Sequence, residues 1–139
     1  NYGKGKIAGI YMNIGERYIN AATSLSRDFL NGIVRELFPE PLVTVQGSHY
    51  VDITLNRIAD GRFAINLINT SGPHANSNVY VYDDIPSVGP LYISVCMKDK
   101  QPSKVTLEPY GEELQYVYDG KYVKIILPRL EIHDIIVVE

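Results

Sequence analysis

The chain has 139 residues, of which 45% are hydrophobic and 21% are charged, values that indicate an ordinary globular protein and exclude an intrinsically disordered chain. The formal net charge is −3, and the thirteen Lys and Arg residues are scattered, which disfavours binding to nucleic acid or to an anionic membrane. No run of eighteen apolar residues is present, so no membrane-spanning helix is predicted.

The first predicted element is a β-strand over Lys6 to Asn13 (KIAGIYMN). This run of mostly apolar and aromatic residues follows a glycine-rich start. Because it is apolar at adjacent positions, it is typical of a strand that is buried on both faces. The residues that follow, Gly15 to Asn20, are predicted to form a polar connection.

Residues 24 to 38 carry the pattern of an amphipathic α-helix. Their apolar positions form a single stripe at helical spacing: Leu25, Phe29, Leu30, Ile33, Val34, Leu37 and Phe38. Thr23, Ser24 or Ser26 is expected to cap the start of the helix, and Pro39 is expected to end it. A stripe of this kind requires an apolar partner surface.

After Pro41 the hydrophobic period changes to two, which is typical of β-strands. Two hairpins are predicted, one turning at Asp60-Gly61 and one at Asp119-Gly120, because glycine accepts the backbone conformation of a tight turn. The other strands are predicted at residues 43–45, 79–82, 91–98, 104–108 and 130–138. The predicted fold is therefore mainly β: an antiparallel β-sandwich of about eight strands, preceded by one β-strand and one amphipathic α-helix.

The change of period at Pro39-Glu40-Pro41 predicts a domain boundary. One strand and one helix are too little to form a core of their own. Residues 1–40 are therefore interpreted as the end of a preceding domain, and residues 41–139 as a complete sandwich.

No catalytic or metal-binding constellation is predicted, and no cofactor. The histidines, His49, His74 and His133, lie far apart in the sequence, and the single cysteine, Cys96, lies in an apolar run and is interpreted as a buried hydrophobe. Adjacent carboxylates such as Glu112-Glu113 point to opposite faces of a strand and do not converge on a substrate. One enzyme hypothesis stays open: a small hydrolase with a cleft near His49 and Asp52.

Carbohydrate binding is the alternative that the tyrosines raise. The chain has eleven tyrosines and no tryptophan, and Tyr80 and Tyr82 are predicted to share one strand face. The polar loop over residues 69–78 contains His74 and Asn76, which complete the predicted set of carbohydrate contacts. Tyr116 and Tyr118 also share a face, and the competing interpretation is that such tyrosines are half-buried strand residues.

Several segments resemble the C-terminal region of bacterial glycoside hydrolases related to family-42 β-galactosidases and to fucosidase-like hydrolases. The segments are Gly3-Lys4-Gly5-Lys6-Ile7-Ala8, Arg27-Asp28-Phe29-Leu30, Gly47-Ser48-His49-Tyr50-Val51-Asp52, Asn66-Leu67-Ile68-Asn69-Thr70-Ser71 and Pro128-Arg129-Leu130-Glu131-Ile132-His133. In this family a catalytic (β/α)8 barrel is followed by an amidotransferase-like α/β domain, often used in trimerisation, and then by a small β-sandwich.

The resemblance implies a non-catalytic role for this chain. Residues 1–40 would be a strand-helix remnant of the amidotransferase-like domain, and the family's catalytic glutamates would lie in the barrel upstream. The expected partners are upstream domains of the same polypeptide, a carbohydrate, and a second copy bound through the exposed helix face. The start at Asn1 has neither an initiating Met nor a signal-peptide core, so a fragment of a longer protein is expected, and the compartment is left open.

Overall fold

The computed structural model describes residues 3, 5–21, 23–72, 84–98 and 100–139. The chain divides into two compact units, Asn1–Pro41 (unit 1) and Leu42–Glu139 (unit 2). Unit 1 contains two helices, α1 (Ile14–Ala21) and α2 (Ser24–Leu37). Neither helix is long and apolar enough to cross a membrane, and the same holds for the described residues as a whole.

Unit 2 is mainly β, as the sequence predicts, with two antiparallel sheets. Its described strands are β1 (Val43–Gln46), β2 (Val51–Arg57), β3 (Phe63–Asn69), β4 (Leu91–Cys96), β5 (Val105–Glu108), β6 (Glu112–Glu113), β7 (Tyr116–Tyr118), β8 (Tyr122–Leu127) and β9 (His133–Val138). The four-stranded sheet has the order β1-β4-β8-β7, and the five-stranded sheet has the order β2-β3-β9-β5-β6. The strand predicted at residues 79–82 lies outside the described residues.

Alternation along the strands builds the core of the sandwich. In β4 the buried residues Leu91, Ile93 and Val95 alternate with more exposed neighbours, and in β8 Val123, Ile125 and Leu127 do the same. The inner side chains of β3, β5 and β9 join them in one cluster of buried aliphatic residues. Burial of this apolar surface supplies the main driving force for folding.

Both predicted hairpins form at the expected turns. At the first, the backbone N–H of Ile58 donates to the Arg62 carbonyl at 3.0 Å, and Gly61 takes a φ of +90°. At the second, Asp119 Oδ1 accepts hydrogen bonds from the backbone N–H groups of Lys121 and Tyr122 at 3.1 and 2.8 Å. These hydrogen bonds from backbone to side chain stabilise the turn in the same way as hydrogen bonds within the backbone, and they support the register of β7 against β8.

Unit 1 departs from the sequence prediction before α2. The described residues of the predicted strand Lys6 to Asn13 form no β-ladder, and nearly all of them are exposed. A strand needs a neighbour to satisfy its backbone groups, and the described residues of unit 1 contain no strand, only a single-residue bridge at Gly5. The predicted polar connection is also wrong, since Gly15 to Asn20 lie within α1, where the Asn13 side chain donates a hydrogen bond to Glu16.

Helix α2 follows the sequence closely. Thr23 is the residue that caps it, because its hydroxyl accepts a hydrogen bond from the backbone N–H of Ser26 at 3.3 Å. At the other end the backbone N–H of Phe38 donates to the Val34 carbonyl at 2.7 Å, immediately before Pro39. No described residue of α1 or α2 is buried.

Candidate functional site

The predicted carbohydrate contacts His74, Asn76, Tyr80 and Tyr82 lie outside the described residues, so they stay predictions.

Tyr116 and Tyr118 lie in β7, are partly buried and pack against the core cluster. The Tyr116 hydroxyl donates to the Pro102 carbonyl at 2.7 Å, and the Tyr118 hydroxyl donates to the Gly120 carbonyl at 2.8 Å. Both rings therefore serve the fold, because their apolar bodies are packed and their hydroxyls are bonded to backbone.

The described residues near the suggested hydrolase cleft are open to solvent. His49 and Asp52 are both exposed, and neither lines a groove described below. Among the described residues no group of three or more His, Cys, Asp or Glu side chains is arranged to hold a metal ion.

One carboxyl, Asp134, has an unusual environment. Partial burial raises its pKa above the ordinary value, and the nearby Glu131 raises it further, while His133 acts in the opposite direction. Asp134 lies in β9 opposite Leu67 of β3. A raised pKa suits a general acid, but acid catalysis requires a partner group and a substrate cleft beside it. Asp134 lines neither of the grooves described here.

The most distinctive surface of unit 1 is an apolar groove along α2, here called the unit 1 groove. Its floor is formed by Phe29, Gly32, Ile33 and Leu37 of the helix together with Ile7 and Ala8, and Lys6, Asp28 and Glu36 form its polar rim. Lys6 Nζ donates to the backbone carbonyl of Glu36 at 3.0 Å, which holds the segment around Ile7 against the end of the helix.

Much of the apolar stripe of α2 is exposed to solvent, although a helix of this length is stable only when such a stripe is packed. Leu25 is 79% exposed and Phe29 46% exposed, and Val34, Leu37 and Phe38 are also exposed. A helix of fourteen residues is marginal in water unless its apolar face is packed. An exposed apolar surface of this kind is characteristic of an interaction site.

One of the exposed aromatic residues lies on the outer face of the four-stranded sheet. Tyr92 of β4 points away from the core between the buried Leu91 and Ile93 and is 52% exposed. Its cross-strand neighbours are Gln46 of β1 and Ile126 of β8, both exposed. The alternation of β4 in the sequence predicts that Tyr92 lies on the opposite face from Leu91 and Ile93. It does not predict whether another segment of the chain covers that face.

Comparison with known proteins gives a likeness of fold. No protein-family model and no curated protein matches the chain. Among solved structures, the chain is similar to α-L-fucosidase isoenzyme 2 from Paenibacillus thiaminolyticus, with a TM-score of 0.79 and 21% sequence identity. The match covers 94% of this chain, which spans 20% of the length of that fucosidase.

Proposed function

We propose that this chain is a non-catalytic C-terminal accessory region of a bacterial glycoside hydrolase, in which it stabilises or positions the catalytic and oligomerisation domains. The observation that carries the proposal is the fold likeness of almost the whole chain to one fifth of an α-L-fucosidase. A hydrolase of that size has room for a catalytic domain outside the matched region. The resemblance of the sequence segments to hydrolase C-termini points the same way.

Unit 1 supports the proposal from the physics of its surface. Residues 1–40 contain a run with the composition of a doubly buried strand and an amphipathic helix, yet no described residue of either is buried. Both features are accounted for if the run adds to the sheet of a preceding amidotransferase-like α/β domain and the apolar face of α2 packs on that sheet. The partners would then be upstream domains of the same polypeptide.

A hydrolysis assay tests the proposal directly. The purified chain is expected to release no nitrophenol from p-nitrophenyl α-L-fucoside or p-nitrophenyl β-D-galactoside. Asp134→Asn supplies the control, since Asp134 is the carboxyl whose pKa burial raises. Turnover by the chain that Asp134→Asn abolishes would contradict the proposal.

The reading frame upstream of Asn1 supplies a second test. It is expected to encode a (β/α)8 barrel with two carboxylates at the ends of its strands, followed by an α/β domain. In that longer protein, deletion of residues 41–139 is expected to lower the melting temperature and to leave kcat per folded molecule nearly unchanged. A frame without a barrel would contradict the parentage.

Carbohydrate binding is the second candidate function, and the exposed Tyr92 favours it. A ring on a sheet face can stack on the apolar side of a sugar, and the amide of Gln46 beside it can bond to a hydroxyl. Calorimetric titration of plant and host oligosaccharides is expected to show binding that Tyr92→Ala abolishes and Tyr110→Ala, at another exposed tyrosine, preserves. A flat response across the panel would remove this candidate. The predicted contacts Tyr80 and Tyr82 can be substituted in the same assay.

A further inference from the structure

A groove in unit 2 is lined by the β2–β3 hairpin of one sheet and by residues at the end of β4 in the other, and it is independent of the proposed function. Leu42, just before β1, and Leu55 of β2 contribute apolar walls, together with Phe63 and Met97. Strands β1 and β2 are each at the edge of a sheet, so the sandwich is open on this side. The cavity has a volume of about 610 Å³, within the range of small-molecule sites. We call it the cationic groove.

Three positive side chains line this groove: Arg57, Lys98 and Lys100. The described lining holds these three positive charges and no carboxylate, whereas the net charge of the chain is −3. No ion pair joins any of the three to a residue that the structure describes. A concentration of one charge beside low-dielectric walls attracts ligands of the opposite charge.

The guanidinium of Arg57 lies against an aromatic ring. Its Cζ lies 5.1 Å from the centroid of the Phe63 ring, directly across the β2–β3 ladder. Among the described residues no carboxylate forms an ion pair with Arg57, whereas Asp60 Oδ2 and Glu139 Oε1 accept from Arg62 at 2.7 and 2.9 Å. Stacking on Phe63 restricts the guanidinium but leaves its N–H groups available.

The backbone at Lys98 adds a second observation. Lys98 has a φ of +37°, and it is the one non-glycine residue with positive φ among those the structure describes. Glycine or asparagine would adopt this conformation at lower cost. Lys98 nonetheless occupies this position and lines the groove, so its positive charge is placed there at some expense to the backbone.

We infer that the cationic groove binds a small organic carboxylate that carries an apolar body. The carboxylate would accept two parallel hydrogen bonds from the fork of Arg57, with Lys98 and Lys100 adding positive charge around it. The apolar body would lie against Leu55 and Phe63. A ligand with only one of these features would lose the contribution of the other and bind less tightly.

Three probes separate the two features by titration into the full-length, ¹⁵N-labelled chain with amide chemical shifts as the readout. They are 3-phenylpropionate, its uncharged analogue 3-phenylpropanamide, and propionate, which has the charge without the ring. Saturable shifts are expected for 3-phenylpropionate at residues around the groove, with binding at least tenfold weaker for the other two. Raising the NaCl concentration is expected to weaken binding of 3-phenylpropionate, because added salt screens the exposed lysines.

Variants then assign the site. Arg57→Gln is expected to weaken 3-phenylpropionate binding about tenfold, and Arg57→Lys to recover part of the loss, because a lysine restores charge without the fork. Arg129→Gln is the matched control, since Arg129 is an exposed arginine outside the groove, paired with Glu131 at 2.6 Å. Preserved dispersion of the amide spectrum verifies that each variant is folded.

The inference is overturned by any of three results. These are absence of saturable shifts with 3-phenylpropionate, equal affinity for the uncharged amide, and equal effects of Arg57→Gln and Arg129→Gln. None of these results bears on whether the chain belongs to a hydrolase, which the upstream reading frame decides separately.

Discussion

Single side chains decide how the irregular parts of unit 2 are held to the sheets. Asn69, at the end of β3, is 4% exposed, and its amide nitrogen donates to the carbonyls of Pro86 and Glu131 at 2.9 and 2.6 Å. Its oxygen accepts from the backbone N–H of Ser71 at 2.9 Å. One buried amide thus connects two segments that are distant in the sequence. Asn69 begins an Asn-Thr-Ser glycosylation sequon, yet its nitrogen is buried and already bonded in the fold.

The first prediction concerns this amide. Asn69→Ala is expected to lower the free energy of unfolding by about 3 kcal/mol, because it leaves buried backbone groups without partners. Urea denaturation followed by circular dichroism measures the change. Asn56→Ala, at an exposed position of β2, is the control and is expected to change stability by less than about 0.5 kcal/mol. A similar cost for both variants would contradict the role given to Asn69.

The second prediction concerns pH. A hydrogen bond from Lys124, followed by those from the backbone of Tyr122 and Lys121, lowers the pKa of Asp119 from 3.8 to about 2. Because the folded-state pKa is the lower one, the stabilisation is present above pH 3.8 and is lost as the pH falls through about 2. Asp119→Asn is therefore expected to lower the melting temperature at pH 6 and to have little effect near pH 1.5.

Thermal melts at the two pH values measure this dependence, and an NMR titration of the Asp119 carboxyl carbon measures its pKa. Asp52→Asn, at an exposed position of β2, is the control variant. An equal effect of Asp119→Asn at both pH values would show that geometry, and not ionisation, accounts for the stabilisation of the turn.

At the scale of elements, α2 is the element whose stability depends most on what surrounds it. Local residues cap its start and end it, but much of its apolar face is exposed. In addition, Gly32 lies near the middle of the helix. A glycine within a helix costs about 1 kcal/mol relative to alanine. A Cβ added at Gly32 meets nothing within 4 Å, so the chain by itself offers no packing reason for the glycine.

The third prediction follows from Gly32. In this chain, Gly32→Ala is expected to stabilise α2 by about 0.7 kcal/mol and to slow amide exchange of the helix. Asn31→Ala raises helix propensity as well and is the control, since Asn31 does not line the unit 1 groove. In the longer hydrolase that we propose, the added methyl group would enter the groove, so Gly32→Ala is expected to destabilise that protein while Asn31→Ala does not. Stabilisation by both variants there would argue against a sheet packed on this face.

At the scale of the whole molecule, stability is concentrated in unit 2. Every buried hydrophobic side chain that the structure describes lies between Ala64 and Val138. The two sheets bury a continuous aliphatic cluster between them, whereas the described helices of unit 1 bury no residue. The described core therefore lies wholly within unit 2, and the described residues of unit 1 add nothing to it.

The fourth prediction tests this division. The fragment 42–139 is expected to unfold cooperatively, with a melting temperature within about 3 °C of that of the full chain. Differential scanning calorimetry of both proteins measures this. Substitution of the core residue Ile65 by Ala, which is expected to cost about 3 kcal/mol, verifies that the transition reports on the sandwich. Loss of the cooperative transition in the fragment would show that unit 1 contributes to the core.

The sequence by itself determined the local features of this protein. The period of two predicts the strands and the inner face of each, and Asp60-Gly61 and Asp119-Gly120 predict both hairpins. Thr23, Ser24 or Ser26 at the start and Pro39 at the end predict the bounds of α2, and the structure selects Thr23 as the cap. These signals are readable because each depends on residues that are near neighbours in the chain. The strand predicted at Lys6 to Asn13 failed for the converse reason, since a strand exists only with a neighbour to pair with.

Only the tertiary structure decided what comes together across the chain. It places β1 beside β4 and β9 between β3 and β5, uses Asn69 as a bridge, and gathers Arg57, Lys98 and Lys100 around one groove. Which strand pairs with which depends on the burial of both sheets at once, and no local pattern records it. The same reason explains why the exposed Tyr92 could be located only in the folded molecule, whereas the apolar stripe of α2 is readable from the sequence.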